Sequence, residues 1–233
     1  MNAGNIYKDG TYLENHPTWH QEDSAWKAKQ ILKILKKNSV TPLTLCEVGC
    51  GAGEILNCLS HQYGGEVIFS GYEISPQAFA ICKNKERENL HFFLENLLDH
   101  EDPAFDVLMA IDVFEHVEDY FGFLRKVKKK AVYKVFHIPL DLSVQSVFRL
   151  SPILRSRSSV GHIHYFMKET ALATLRDTGY EVVDYCYTSG SLELSNHGWK
   201  TNLMKVPRKL FFQLHSDLAV RVLGGFSLLV LAK

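Results

Sequence analysis

The sequence predicts an α/β domain on a Rossmann-like, doubly wound, seven-stranded sheet, mostly parallel, with an antiparallel C-terminal edge hairpin and helices on both faces. Short β-rich runs alternate with helical patterns from residue 43 to residue 138, the rhythm of right-handed βαβ units. The run Phe105 to Asp112, FDVLMAID, is almost wholly apolar, as a strand covered on both faces requires. Glycines recur at alternate positions where the first strand meets its helix.

Each element has its own signal. From Glu22 to Lys37 the apolar positions Trp26, Ile31, Ile34 and Leu35 recur at helical spacing, with Asp23 and Ser24 as caps and Pro42 beyond the end. Strands follow at Leu43–Val48, Glu66–Ile74, Leu90–Glu95, Phe105–Asp112 and Val132–Ile138, alternating with helices at Gly53–Tyr63, Pro76–Glu86 and Val117–Lys128. Residues 139–167 break the rhythm with Ser, Arg and His. A helix over Lys168–Thr178, stopped by Gly179, leads into a strand at Glu181–Thr188. An amphipathic helix over Val206–Val222 precedes a last strand, Phe226–Ala232, which Gly224 and Gly225 would let the chain enter by a tight turn. We expect one domain over residues 1–233: an N-terminal lid and helix (1–40), a cofactor-binding half (43–138) and substrate-side insertions (139–167 and 190–223).

Composition narrows the function. Hydrophobic residues at 46% and charged residues at 22% exclude disorder and coiled coil. Lys plus Arg (26) balances Asp plus Glu (26), so no global field draws the chain to nucleic acid. No apolar run reaches the roughly 18 to 20 residues that span a bilayer. The five cysteines form no C-x-x-C pair, which speaks against disulfides and structural zinc. A cytoplasmic enzyme or binding protein is expected.

The most informative segment runs from Leu45 to Gly53, LCEVGCGAG. Its glycines permit a sharp turn and a close ligand approach, and the helix behind them offers free N–H groups. A dinucleotide fingerprint would need a further glycine where Glu54 stands, which weakens an NAD or nucleotide-sugar oxidoreductase. The acid Glu47 ahead of the glycines suits an ammonium-bearing ligand. Glu73 ends the second strand, 20 residues beyond Gly53, where a carboxylate can accept both hydroxyls of a ribose.

These residues resemble the class I S-adenosylmethionine-dependent methyltransferases, whose first motif is an acid followed by alternating glycines. Glu47, Gly49, Gly51, Gly53 and Glu73 fit that pattern, and the resemblance spans about residues 45 to 140. It departs at Asn96, where the family usually has Asp. The resemblance implies S-adenosylmethionine as cofactor. Gly49, Cys50 and Gly51 would line the methionine moiety with Glu47 and Asp112 near its ammonium, Glu73 and Ile74 would meet the ribose, and Asn96 and Leu97 would flank adenine. A noncatalytic module that binds S-adenosylmethionine or S-adenosylhomocysteine would keep the same residues.

A sulfonium carries its own activation, so the chain need only place a nucleophile and remove its proton. Candidates at the carboxyl edge are Asp112, His116, His137, His162 and His164. Asp112, Glu115 and His116 stand at i, i+3 and i+4, which one helical turn would gather onto one face. The run resembles the acid-x-x-Glu-His site of ubiquinone-biosynthesis O-methyltransferases and of small-RNA terminal 2′-O-methyltransferases. That likeness implies a possible divalent cation on Asp112, Glu115 and His116, with His162 or His164 as a further ligand. Metal-free pocket lining is the favoured reading.

The stretch 141–167 holds Arg149, Arg155, Arg157, His162 and His164 against one acid, Asp141: a substrate lid that grips an acidic group, or a solvated excursion. The basic run Lys126–Lys130 complements a helix C-terminus better than it marks a nucleic-acid site. The C-terminal helix carries Val206, Leu210, Phe211, Leu214, Leu218 and Val222 on one side, among Lys205, Arg208, Lys209 and Arg221. Packing against the sheet or capping the site is its expected use, with weak contact to an anionic membrane as the alternative. Tyr7, Tyr12, His16, Trp19, His20 and Trp26 are read as a lid shared with the later insertions. The expected acceptor is an O or N atom of a small molecule, sugar or lipid-linked intermediate; the sequence leaves the oligomeric state open.

Overall fold

The computed structural model describes residues 18–19, 21–101, 104–194 and 199–233. Seven strands form one sheet: β1 (Thr44–Val48), β2 (Ile68–Tyr72), β3 (Leu90–Phe93), β4 (Phe105–Ile111), β5 (Ala131–Pro139), β6 (Val182–Thr188) and β7 (Ser227–Ala232). Their order is β3-β2-β1-β4-β5-β7-β6. All neighbours pair in parallel except β7, which runs antiparallel to both β5 and β6.

Around the sheet lie α1 (Ser24–Lys37), α2 (Glu54–Tyr63), α3 (Pro76–Cys82), α4 (Tyr120–Lys128), α5 (Val144–Arg149), α6 (Ser151–Arg155), α7 (Lys168–Asp177), α8 (Gly190–Glu193), α9 (Trp199–Leu214) and α10 (Ser216–Leu223). Alternation along each strand divides the core. Leu45, Val107 and Met109 pack with Ile31 and Leu35 of α1 and Leu56 of α2, while Cys46, Leu108 and Ala110 pack with Leu124 of α4 and Leu175 of α7. Strand β1 lies between β2 and β4, so the direction of winding reverses there and opens a crevice at the strands' carboxyl ends.

The antiparallel C-terminal edge is present, made by β7 and β6, and Gly224 and Gly225, both at positive φ, lead from α10 into β7. Three details are refined. The edge pair is not joined by a tight turn: β7 is inserted between β5 and β6, β6 is outermost, and the connection carries α8, α9 and α10. The stretch 139–167 contains α5, α6 and a wide turn at Ser156–Val160, started by a Ser143–Ser146 capping box. The long C-terminal helix is two, divided at His215, and its apolar side chains Val206, Leu210, Leu214 and Leu218 face solvent rather than the sheet.

The cysteines are free. Among the described residues no helix is long and apolar enough to cross a membrane.

Candidate functional site

The crevice begins where β1 ends. Gly49, Gly51 and Gly53 all hold positive φ, a conformation that L side chains adopt at a cost. Their surroundings differ. A Cβ on Gly53 would stand 2.6 Å from the Phe92 ring and 2.8 Å from Cys82, so this position serves helix–strand packing. A Cβ on Gly51 would meet only Trp19, at 3.8 Å. Cys50 is buried, its sulfur against Gly71.

Glu47 projects to the α1 face at the end of β1. It is buried, and its Oε2 has no hydrogen-bond partner among the described residues. Burial pushes its carboxyl well above the usual range, against the pull of Lys27. Such an orphaned carboxylate, beside backbone that a side chain would obstruct, fits the ammonium of an amino-acid tail.

Glu73 follows β2 and is also buried. Its Oε1 accepts the N–H groups of Ile74 and Ser75, and its Oε2 that of Gly51, each at 2.8 Å. Burial raises its pKa and these three N–H groups oppose the rise. A carboxylate has about four acceptor sites, so one is left for a ribose hydroxyl, where sequence reasoning allowed two. Ile74 is half exposed beside it. Asn96 caps the short turn Leu97–Asp99: its Oδ1 accepts from the Leu98 N–H at 3.1 Å. The Leu97 side chain lies wholly in the core, which leaves only its backbone at the crevice.

Asp112 follows β4 at φ 55 and does not join Glu115 and His116 on a helical turn, as the spacing suggested. The chain makes a tight turn at Phe114–His116, and α4 starts only at Tyr120. Asp112 instead receives His137 Nδ1 at 2.6 Å and Lys27 Nζ at 2.9 Å. Burial opposes ionisation, but these two partners outweigh it and hold the Asp112 carboxyl far below the usual range. His137 places its other nitrogen 2.8 Å from Thr188 Oγ1, so both ring nitrogens are engaged. His137 therefore orients Asp112. Sequence reasoning missed Lys27, a lysine on a helix outside every motif, because only the packing of α1 across the crevice brings it there.

The partner that Glu115 and His116 do find is His162. Ligand atoms of these three lie within 4.8 Å of one another. The His116 and His162 rings meet edge to face, with centroids 4.8 Å apart. Burial, and then His162, pull the His116 pKa down to about 4. Glu115 is buried, neither carboxylate oxygen has a hydrogen-bond partner among the described residues, and burial followed by the charges of Asp112 and Asp141 raises its pKa well above the usual range. Asp141 Oδ2 holds His162 Nδ1 at 2.6 Å. His164 sits apart, with Nε2 2.9 Å from the Val117 carbonyl.

From the expected lid, Trp19 covers Gly51, and Trp26 donates to Glu193 at 2.8 Å and meets the His137 ring edge to face. Tyr7, Tyr12, His16 and His20 lie outside the described residues.

Beyond β5 a cavity of about 740 Å³ opens, bounded by Asp141, Gln145, Arg149, Arg155, Lys205 and Arg208 over a floor that includes Leu192 and Phe226. It adjoins the catalytic candidates through Asp141.

A family model described as "Methyltransferase domain" matches residues 18–185. No curated protein matches the chain by sequence. Among solved structures, it is similar to magnesium protoporphyrin IX methyltransferase from Synechocystis with bound S-adenosylhomocysteine (14% identity, 94% of this chain and 85% of that one, TM-score 0.59). It is also similar to the plantazolicin methyltransferase in complex with the same compound (17%, 100% and 94%, TM-score 0.60). A third likeness is to the N-methyltransferase NodS from Bradyrhizobium japonicum, again with S-adenosylhomocysteine (15%, 88% and 84%, TM-score 0.55). At these identities the likenesses establish the fold, and the match over residues 18–185 establishes the family: the chain belongs to the class I S-adenosylmethionine-dependent methyltransferases.

Proposed function

We propose that this chain methylates an oxygen or nitrogen atom of a small molecule, with His162 as the base that takes the acceptor's proton. The observation that carries the reading is the buried Oε2 of Glu47, without a hydrogen-bond partner among the described residues, ahead of a glycine turn that is open at Gly51. In the proposed arrangement Glu47 takes the cofactor's ammonium, Glu73 one ribose hydroxyl, and the backbone at Asn96 and Leu97 the adenine edge. S-adenosylmethionine supplies the methyl group on an activated sulfonium.

The protein's own work is placement and proton removal. Asp141 on Nδ1 fixes the His162 tautomer so that Nε2 is the proton acceptor, a base oriented by a third group. In this reading Trp19 and α1 close the cofactor side, and residues 139–167 with α8, α9 and α10 form the acceptor side. The similar structures named above include a methyltransferase of magnesium protoporphyrin IX and one of plantazolicin, which supports a small-molecule acceptor. A second reading rests on Glu115, whose two oxygens lack a hydrogen-bond partner among the described residues and, with His116 and His162, suit a divalent cation. The cation would then lower the acceptor's pKa in place of a base.

Replacing His162 by Ala should lower kcat by about 10²- to 10⁴-fold and leave S-adenosylhomocysteine affinity, read by calorimetry, unchanged. Wild-type turnover in excess chelator separates the readings: full activity supports the base, and loss restored by Mg²⁺ or Mn²⁺ supports the cation. Unaltered kcat in the variant would remove His162 from both.

A further inference from the structure

The cavity beyond β5 has an unusual balance of charge. Four cations bound it, Arg149, Arg155, Lys205 and Arg208, against one acid, Asp141, which His162 already occupies. Lys205 donates to the Leu194 carbonyl at 2.6 Å and Arg208 to the Gly224 carbonyl at 2.7 Å; both partners are neutral, so neither positive charge is cancelled. Arg149 and Arg155 form no ion pair among the described residues. No acid occurs in residues 144–160 or 199–216, the two segments that frame the opening.

Those same segments expose large apolar side chains. Phe148 on α5 is 90% exposed, Val206 on α9 71% and Leu214 66%, with Val144, Val147 and Leu210 also out in solvent. Ordinary surfaces scatter such residues singly. Here they are chain neighbours of the cavity's cations, Phe148 beside Arg149 and Val206 beside Lys205, and α10 packs against both α5 and α9. Leaving such side chains in water costs free energy that an apolar, negatively charged cover would relieve, and that is the chemistry of an anionic lipid interface.

We propose that this face binds a phosphate-bearing amphiphile at a membrane surface. The phosphate enters the cavity between Arg149, Arg155, Lys205 and Arg208, and the hydrocarbon lies along Phe148 and Val206. That the amphiphile is also the methyl acceptor rests on the function proposed above; the binding itself does not.

Vesicle sedimentation tests it. Full-length protein should sediment with vesicles of phosphatidylcholine mixed with phosphatidylglycerol and stay in the supernatant with phosphatidylcholine alone, and added NaCl should release it. The exposed pair Arg149→Gln/Arg155→Gln should weaken binding by about 30-fold, and Phe148→Ser should weaken it as well. Equal binding to both vesicle types, or wild-type binding by either variant, would overturn the proposal. So would thermal stabilisation by inorganic pyrophosphate without any vesicle binding, which would give the cavity to a free phosphate. A concentration-dependent dimer that shields Phe148 would overturn it too. Stabilisation by S-adenosylhomocysteine, measured on the same samples, should be alike in wild type and variants. Its absence with vesicle binding intact would strike the methyl-transfer reading and leave this one standing.

Discussion

Lys134 illustrates how a single side chain can oppose the fold it sits in. It is buried in β5, with its ammonium 5.7 Å from the centre of the Tyr180 ring. Burial, aided by the nearby Lys128, pulls its pKa from 10.5 down to about 8. A lysine whose folded pKa lies below its unfolded one penalises the native state while both are protonated. The unfolded chain binds more protons between the two values, so stability rises with pH from about 8 to about 10.5. Lys134→Met should therefore raise Tm at pH 7 by removing roughly 2 kcal/mol of penalty. The advantage should shrink as pH approaches 10 in parallel thermal melts, and an advantage that does not change with pH would assign the gain to packing alone. Nothing in the sequence marks this lysine: the run around it, AVYKVFHIP, reads as a strand, and only the tertiary neighbours decide what burial costs it. Glu47 and Glu73 stood out as candidates for the opposite reason, since each lies at a strand's end beside a turn rich in glycine or followed by proline.

The elements were legible where local chemistry sets their limits. The start of α3 is fixed by Ser75, whose side chain accepts the Ala78 N–H, with Pro76 behind it. The Asp112–His116 segment was misread because i, i+3, i+4 spacing implies a face only if the chain is helical there, and Asp112 at φ 55 breaks the path. Within the β1–α2 turn, one motif hides two jobs. Gly53 is the N-cap of α2 in the left-handed region and has no room for a methyl group; Gly51 shares the conformation but faces open space up to Trp19. Gly53→Ala should cost about 2–4 kcal/mol in denaturant unfolding, summing backbone strain with overpacking against Phe92. Gly51→Ala should cost about 1–2 kcal/mol yet weaken S-adenosylhomocysteine more. Reversed stabilities would mean that Phe92 yields easily and that Gly53 is not the packing position.

At the scale of the molecule, the parallel half of the sheet could be read from alternation, because each βαβ unit is local in sequence. The placement of β7 could not, since its neighbours β5 and β6 come from distant parts of the chain and β-pairing leaves no local mark. The meeting of Glu115 with His162, made by main-chain bonds from Ile163 and His164 to the Glu115 carbonyl, leaves no local mark either; only the resemblance to the acid-x-x-Glu-His methyltransferases had put His162 or His164 there. The crevice at the β1 switch point draws together α1, the glycine turn and the ends of β2, β3 and β4, so a ligand bound there should stabilise the folded chain as a whole. At a hundredfold excess over Kd, S-adenosylhomocysteine should add about 2.7 kcal/mol, a rise in Tm of roughly 5–10 °C for a domain of this size. NAD at equal concentration should add nothing, because Glu54 stands where a pyrophosphate needs glycine. Glu47→Gln should reduce the shift with S-adenosylhomocysteine by removing the charge that faces the ammonium. A shift with NAD and none with S-adenosylhomocysteine would mean that the orphaned carboxylate marks some other ligand.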